Sequence, residues 1–232
     1  IKLKLNHTAS FAELEASAFD EIVVATGVTP RQLDIPGIDH PKVLSYLEVL
    51  KERKAVGQRV AIIGAGGIGF DTAELLSHEG ESGSINPEKF YDEWGIDTKY
   101  DQVGGLKTPV LEKSSREIYL LQRKAASVGS SLGKTTGWIH RTGLKHRDVK
   151  MIAGVSYDRI DDQGLHITVN DKQMVLEVDN VIICAGQESY TAMFDELKSV
   201  GKSVHLIGGA KEAGELDAKR AIRQGAELAA VI

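Results

Sequence analysis

The chain has 232 residues, enough for one large domain or two small ones with a sizeable core. Hydrophobic residues make up 42% and charged residues 26%, with a net charge of -5 and a pI near 5.8, so the chain reads as globular and lacks the basic footprint of a nucleic-acid partner. A single cysteine, Cys184, excludes an internal disulfide, a Cys-x-x-Cys redox pair and a cluster ligated by cysteines of this chain. No apolar run approaches the roughly 20 residues of a membrane span and no signal-peptide pattern opens the sequence, so a cytoplasmic setting is expected.

The first residues, Ile1-Lys-Leu-Lys-Leu5, alternate like a short strand. Starting on Ile1 in mid-pattern suggests a fragment of a longer protein. Ser10 and Glu13 have the spacing of a capping box, as do Ser45 and Glu48, so short helices are expected after each, the second running to about Arg53. Phe19 to Gly27 reads as a buried strand ending in a glycine turn, and Pro30, Pro36 and Pro41 punctuate the loop after it. Val56-Gly57 is the expected crossing into a new unit.

That unit opens on Val60-Ala-Ile-Ile-Gly-Ala-Gly-Gly-Ile-Gly-Phe70, with a strand at 59–63 and a helix at 67–77. The β-branched run drives into Gly64, Ala65, Gly66, Gly67, Ile68 and Gly69. Gly64 permits a tight turn, Gly66 lets backbone approach a pyrophosphate, and Gly69 lets helix and strand pack closely. The helix N-terminus then offers N–H groups and a positive dipole end to phosphates. A strand before the glycines and a helix after them point to dinucleotide binding. The alternative is a strand–turn–helix with a purely structural role.

Residues 78–116 are an unusually long excursion rich in Gly, Ser, Pro and charge, with some helix expected. Strand 117–122, a helix from Thr135 to about Lys145, and strand 149–152 follow. A β-meander occupies 155–160, 165–169 and 174–178, with Asn170-Asp171 as a hairpin turn. Strands at 181–186 and 204–209 precede a terminal helix from Leu216 to Val231. The strand ends Val23–Gly27 and Ile182–Gly186 resemble each other and bracket the glycine motif, which suggests one nucleotide domain inserted in another.

An NAD site usually has a carboxylate about 20 residues past the glycines, at the second strand's end, for the ribose 2′-hydroxyl. Here that end is Gln122-Arg123-Lys124, two cations and no acid. Guanidinium and ammonium suit a 2′-phosphate, so NADPH is the expected coenzyme, held through Arg123 and Lys124. A merely solvated basic turn is the alternative. Lys134, Thr135 and Thr136 fit either phosphate contact or helix capping. Trp138 is expected as a core anchor, His140 and Arg141 as a solvated helix face, and Cys184 as a small core thiol.

The glycine block, Leu120-Leu-Gln-Arg-Lys124, Gly133-Lys-Thr-Thr-Gly-Trp-Ile-His-Arg141, Gly154-Val-Ser-Tyr157 and Ile183-Cys-Ala-Gly-Gln-Glu188 together resemble the C-terminal part of bacterial NADPH-dependent 2,4-dienoyl-CoA reductases, and more loosely the trimethylamine dehydrogenases. The resemblance implies an α/β fold in which a Rossmann-like NADPH-binding domain, 56–182, is inserted in a truncated, glutathione-reductase-like FAD-binding domain, 1–55 and 183–232. It implies that NADPH passes hydride to FAD, while FMN and a 4Fe-4S cluster sit in an N-terminal barrel, absent from this chain, that reduces 2,4-dienoyl-CoA in fatty-acid β-oxidation. It places Ala9, Ala25, Thr26, Gly27, Ala185, Gly186, Gln187, Gly208 and Gly209 near cofactors. Gly209-Ala210 departs from the Gly-Asp of many related flavoproteins, and the first FAD glycine motif is missing, so this chain alone is expected to hold FAD weakly and to be silent toward dienoyl-CoA. No catalytic residue and no metal ligand is assigned, because cofactors carry hydride chemistry and the protein orients them. A non-catalytic, ADP-type nucleotide module and another NADPH:flavin oxidoreductase are the competing readings.

Overall fold

A computed structural model describes residues 1–214 and 217–232. The chain divides into two units. One is formed by Ile1–Arg31 with Gln187–Ile232, and the other by the intervening Gln32–Gly186. Residues 32–55, which the sequence reading joined to the outer domain, belong to the inner unit, because Val43–Ser45 pairs in its central sheet. The upper boundary likewise falls after Gly186 rather than at 182.

In the outer unit, α1 (Phe11–Glu15) is capped by Ser10, whose hydroxyl accepts from the Glu13 N–H. The Glu13 carboxylate completes no box: it pairs with Lys4 and His7 instead. Residues 1–5 form no strand, and Ile1, Leu3 and Leu5 are exposed, since no neighbouring strand pairs with their alternation. Strand β1 (Ile22–Val24) is shorter than expected, and β2 (Val28–Pro30) follows the left-handed Gly27.

The inner unit begins with β3 (Val43–Ser45) and α2 (Tyr46–Leu50). Here the capping box is complete, with both the Ser45 and the Glu48 side chains engaged. The helix stops before Arg53, which is left-handed at φ 57°. Strand β4 (Arg59–Ile63) and α3 (Gly67–Ser77) match the expected bounds. The 78–116 excursion contains α4 (Pro87–Trp94), capped by Asn86 and stopped by left-handed Gly95. Then come β5 (Glu117–Leu121), α5 (Gly137–His146), β6 (Lys150–Ile152), β7 (Val155–Asp161), β8 (Gly164–Val169), β9 (Lys172–Leu176) and β10 (Asn180–Ile183). The meander's last strand starts two residues earlier than expected, because Asn170 and Asp171 both take positive φ and close a two-residue hairpin.

Five of these strands make a parallel sheet in the order β3-β10-β4-β5-β6. Strands of a parallel sheet are covered on both faces and so read as continuous apolar runs. Accordingly Val60, Ala61, Ile62 and Ile63 are all fully buried. Val60 and Ile62 pack with Phe70, Ala73 and Leu120 on one face, and Ala61 and Ile63 with Leu165, Ile167 and Val181 on the other. At the sheet's entry, Asp179 accepts from the N–H groups of Gln58 and Arg59 and pairs with the Arg59 guanidinium.

The chain returns to the outer unit with β11 (Gln187–Ser189), antiparallel to β2, then α6 (Ala192–Ser199), β12 (Val204–Leu206) and α7 (Ala218–Ala229). β12 pairs parallel with β1. Helix α7 is capped by Asp217, which accepts from the Arg220 N–H; the expected start at Leu216 lies outside the described residues. Among the described residues no helix is long and apolar enough to cross a membrane.

The meander carries a pH-sensitive brace. Asp161 sits 2.8 Å from Nε2 of His166, and also accepts from the Gln163 N–H at 3.0 Å and from Arg159 at 3.1 Å. The His166 contact above all holds the Asp161 carboxyl at about 2. Its unfolded value is about 3.9. A depressed folded pKa adds stability that is present above about pH 4 and lost as pH falls toward 2. The Asp161→Asn variant is therefore expected to show a shallower loss of thermal midpoint than the parent between pH 4 and 2, measured by circular dichroism. Parallel curves would exclude this carboxylate as a source of acid sensitivity.

Candidate functional site: the glycine turn and its neighbouring strand ends

Parallel pairing brings the carboxyl ends of β10, β4, β5 and β6 to one edge of the inner sheet, the edge where open α/β folds bind ligands. Gly64 follows β4 in a left-handed conformation, φ 108°. Its N–H donates to the Leu121 carbonyl at 3.0 Å, and a Cβ here would lie 2.6 Å from the Cys184 carbonyl and 2.9 Å from Cα of Ala185. Only glycine fits between these strands. A Cβ on Gly69 would come within 1.9 Å of the Gly64 carbonyl oxygen, so α3 can seat against the turn only without it. Gly66 and Gly67 are different: nothing lies within 4 Å of where their Cβ atoms would be. Their missing side chains leave open space at the helix start. Gly66 is the N-cap, makes no side-chain cap bond, and accepts from Phe70 at 3.0 Å. An uncapped α-helix of this length directs its first N–H groups and its dipole into that space, where an anion is favoured.

Beside this turn, Gln122 prolongs β5, and Arg123 and Lys124 are exposed, with no ion partner among the described residues. Two exposed cations at the end of β5, the strand paired beside β4 and its glycine turn, suit an anionic ligand. Near Arg123 lies the Tyr157 phenol, whose oxygen is sealed from solvent and has no hydrogen-bond partner among the described residues. Burial pushes this phenol's pKa up, and the Arg123 charge only partly offsets it.

On β4's other side, Ala185 packs against Gly64, and Gly186 turns with φ 91°. Cys184 is buried, with Sγ 3.6 Å from the Thr72 hydroxyl, and burial pushes its thiol up to about 12. Such a thiol is a packed core group rather than a reactive one. Gln187, grouped with these residues on sequence grounds, belongs to the outer unit, where it pairs with Pro30.

In the outer unit, the β1–β12 pairing brings Ala25, Thr26 and Gly27 beside Ile207, Gly208 and Gly209 at the strands' carboxyl ends. The Ile207 N–H donates to the Val24 carbonyl at 3.3 Å. The Thr26 hydroxyl donates to the Tyr190 carbonyl at 2.7 Å, and Gly27, φ 76°, faces open space. The Gly208 N–H donates to Oε1 of Gln224 on α7 at 2.7 Å, and the Gly209 carbonyl accepts from Ser189 at 2.7 Å. Backbone and α7 thus supply the polar contacts at this strand end, and Ala210 is buried. Ala9 is exposed just before α1, a helix that packs on α6 rather than on these strand ends.

Lys134, Thr135 and Thr136 lead into α5 exposed, and Thr136 is an N-cap without a side-chain cap bond. Trp138 is no core anchor: it is 52% exposed and meets Trp94 of the excursion edge-on, with ring centroids 6.0 Å apart. Trp94 also meets His146 of this helix, ring centroids 6.1 Å apart, so the tryptophan pair lies at the surface, outside the core. His140 is 3.5 Å from Glu74 on α3. Arg141 turns inward to donate to the Gly129 carbonyl. Two features of the site go beyond the sequence pattern. The Gln122 amide folds back onto its own loop, and Gly154, φ 69°, donates to the Lys124 carbonyl at 3.1 Å. A glycine two residues past a strand was the one available signal for the second.

The residue pattern of the pyridine nucleotide-disulphide oxidoreductases matches residues 2–209. The chain is 27% identical over 199 residues to a metal reductase of Desulforamulus reducens, covering 85% of this chain and 28% of that protein. It is 27% identical over 214 residues to a cinnamate reductase of Clostridium sporogenes, covering 91% of this chain and 27% of the relative. It therefore spans under a third of the length of these relatives. A solved structure of 2-naphthoyl-CoA reductase with 2-naphthoyl-CoA shares its fold across 100% of this chain and 30% of that one, with a TM-score of 0.76 at 24% identity. The mixed α/β architecture, the parallel sheet and the match over nearly the whole sequence lead to one conclusion: the chain belongs to the pyridine nucleotide-disulphide oxidoreductase family, whose Rossmann-like fold binds FAD and NAD(P).

Proposed function

We propose that this chain is the NADPH-binding, electron-input part of a 2,4-dienoyl-CoA reductase. One observation carries the coenzyme choice: Arg123 and Lys124 stand exposed, with no ion partner among the described residues, at the strand end next to the glycine turn, where an NAD site would carry an acid. The absence of side chains at Gly66 and Gly67, with nothing within 4 Å of where a Cβ would be, supports a pyrophosphate lying against this backbone. NADPH, when bound, supplies a hydride to FAD. This chain's part is to hold the pyrophosphate on the α3 N-terminus, meet the 2′-phosphate with Arg123 and Lys124, and offer Ala25–Gly27 and Gly208–Gly209 as a side-chain-poor surface for FAD. The single buried Cys184 leaves this stretch no dithiol for disulfide chemistry.

The acyl-CoA substrate is inferred from the resemblance in the Gly133–Arg141 and Gly154–Tyr157 blocks. In this reading FMN and a 4Fe-4S cluster reside in a preceding barrel, and the enzyme is cytoplasmic. A second reading, another NADPH:flavin oxidoreductase of the same plan, draws support from the metal and cinnamate reductases being matched at equal identity. The test is NADPH oxidation by the longest polypeptide encoding this stretch, with 2,4-dienoyl-CoA, cinnamate or ferric citrate as acceptor. Faster turnover with the dienoyl thioester supports the first reading. Oxidation of NADPH that ignores the thioester removes it and leaves the second.

A further inference from the structure

We propose that Gln122 is a positioning residue that sets coenzyme preference by holding the 122–126 loop in its cation-presenting shape. The inference rests on the NADPH reading above. Its basis is a closed set of hydrogen bonds. The Gln122 side-chain amide donates to the Lys124 carbonyl at 3.0 Å and to the Ala126 carbonyl at 2.8 Å. Its backbone is fixed as well, donating to the Ile152 carbonyl at 2.9 Å and accepting from the Val155 N–H at 3.0 Å. The Gly154 N–H adds a bond to the same Lys124 carbonyl at 3.1 Å. Arg123 and Lys124 lie inside the turn that these bonds close, yet their own charged ends are bound to nothing among the described residues.

A long cationic side chain loses rotamer freedom when it grips a phosphate, and a loop that also had to order would lose more. Gln122 removes the second cost. It stands where NAD enzymes place an acid, but the amide faces inward to carbonyls, a task that no carboxylate can perform because it has no N–H to donate. A glutamate here would therefore both unlatch the loop and repel the phosphate.

Gln122→Met keeps length and bulk and deletes both donors. Two measurements separate this inference from the coenzyme reading. The first is trypsin cleavage after Arg123 and Lys124 under native conditions, which needs no coenzyme. Loss of two hydrogen bonds is expected to speed it roughly tenfold at a thermal midpoint within about 3 °C of the parent. The second is calorimetric titration with NADPH and NADH. Affinity for NADPH is expected to fall about fivefold to tenfold while affinity for NADH stays within twofold, and Gln122→His, which retains a donor, recovers part of the loss. Unchanged cleavage, or an unchanged NADPH:NADH ratio in a parent that does prefer NADPH, overturns the role of Gln122. A parent without preference overturns the coenzyme reading and this inference with it, whatever the cleavage shows.

Discussion

Replacing Arg123 and Lys124 together by alanine is expected to weaken NADPH binding roughly 10- to 100-fold and to leave NADH binding within about twofold. Charge-assisted hydrogen bonds contribute about 1.5–3 kcal/mol each when well formed, and exposure to water and salt brings this pair to the lower end. Neither cation holds an ion pair among the described residues, so their removal breaks no internal bridge and stability should hold. The contribution should also shrink between 50 and 300 mM salt in the parent and not in the variant. Calorimetry with both coenzymes at two salt concentrations checks each point. An NADPH:NADH ratio indifferent to the double substitution would place the 2′-phosphate elsewhere or remove it from the reading.

Gly66 and Gly69 should respond in opposite ways to the same added methyl group. In an ordinary helix, glycine to alanine stabilises by roughly 0.5–1 kcal/mol. At Gly69 the new Cβ would meet the Gly64 carbonyl oxygen at 1.9 Å, a backbone atom of the turn that has no rotamer by which to give way. The helix must shift off the strand and uncover Phe70 and Ala73, so Gly69→Ala is expected to cost about 3 kcal/mol or more. At Gly66 the methyl meets nothing, and φ -85° suits alanine. Gly66→Ala should therefore cost no more than about 1 kcal/mol, the ordinary loss of alanine at an N-cap, yet lose affinity for NADPH and NADH alike by tenfold or more, because the methyl would occupy the space this reading gives the pyrophosphate. A stable variant that still binds both coenzymes would show that the turn serves only packing. Equal losses with the two coenzymes also separate this effect from that of the cations.

Elements with a strong local signal were legible. β4 and α3 match because a β-branched run, three spaced glycines and an Ala/Leu helix agree in one place. The Ser45–Glu48 capping box formed in full because both partners are within three residues of each other. The Ser10–Glu13 spacing was equally good, yet Lys4 and His7 compete for the Glu13 carboxylate, and only the folded chain brings them there. Helix α6 has only a short local signal, Met193, Phe194 and Leu197 at helical spacing, and these residues pack with Ile22 and Val24 across the sequence gap. Strands β2, β3 and β11 have three residues each, and pairing with distant partners rather than their own composition makes them strands. Residues 1–5 show the reverse, a fine alternation with nothing to pair against.

The chain's own order of residues determined the α/β class, the glycine turn, the Arg123–Lys124 pair at a strand end and the lack of a second thiol, since each depends on residue identity within a few positions. The tertiary structure decided what those residues can do. Parallel pairing of β10, β4, β5 and β6 is what puts Gly64, Ala185, Gln122 and Gly154 at one edge, from stretches up to about 120 residues apart in the chain. It also turned the Gln122 amide onto its own loop and left the Arg123 and Lys124 charges without ion partners among the described residues. Long-range pairing carries no local periodicity, so no reading of neighbouring residues could have foretold which strand ends would meet.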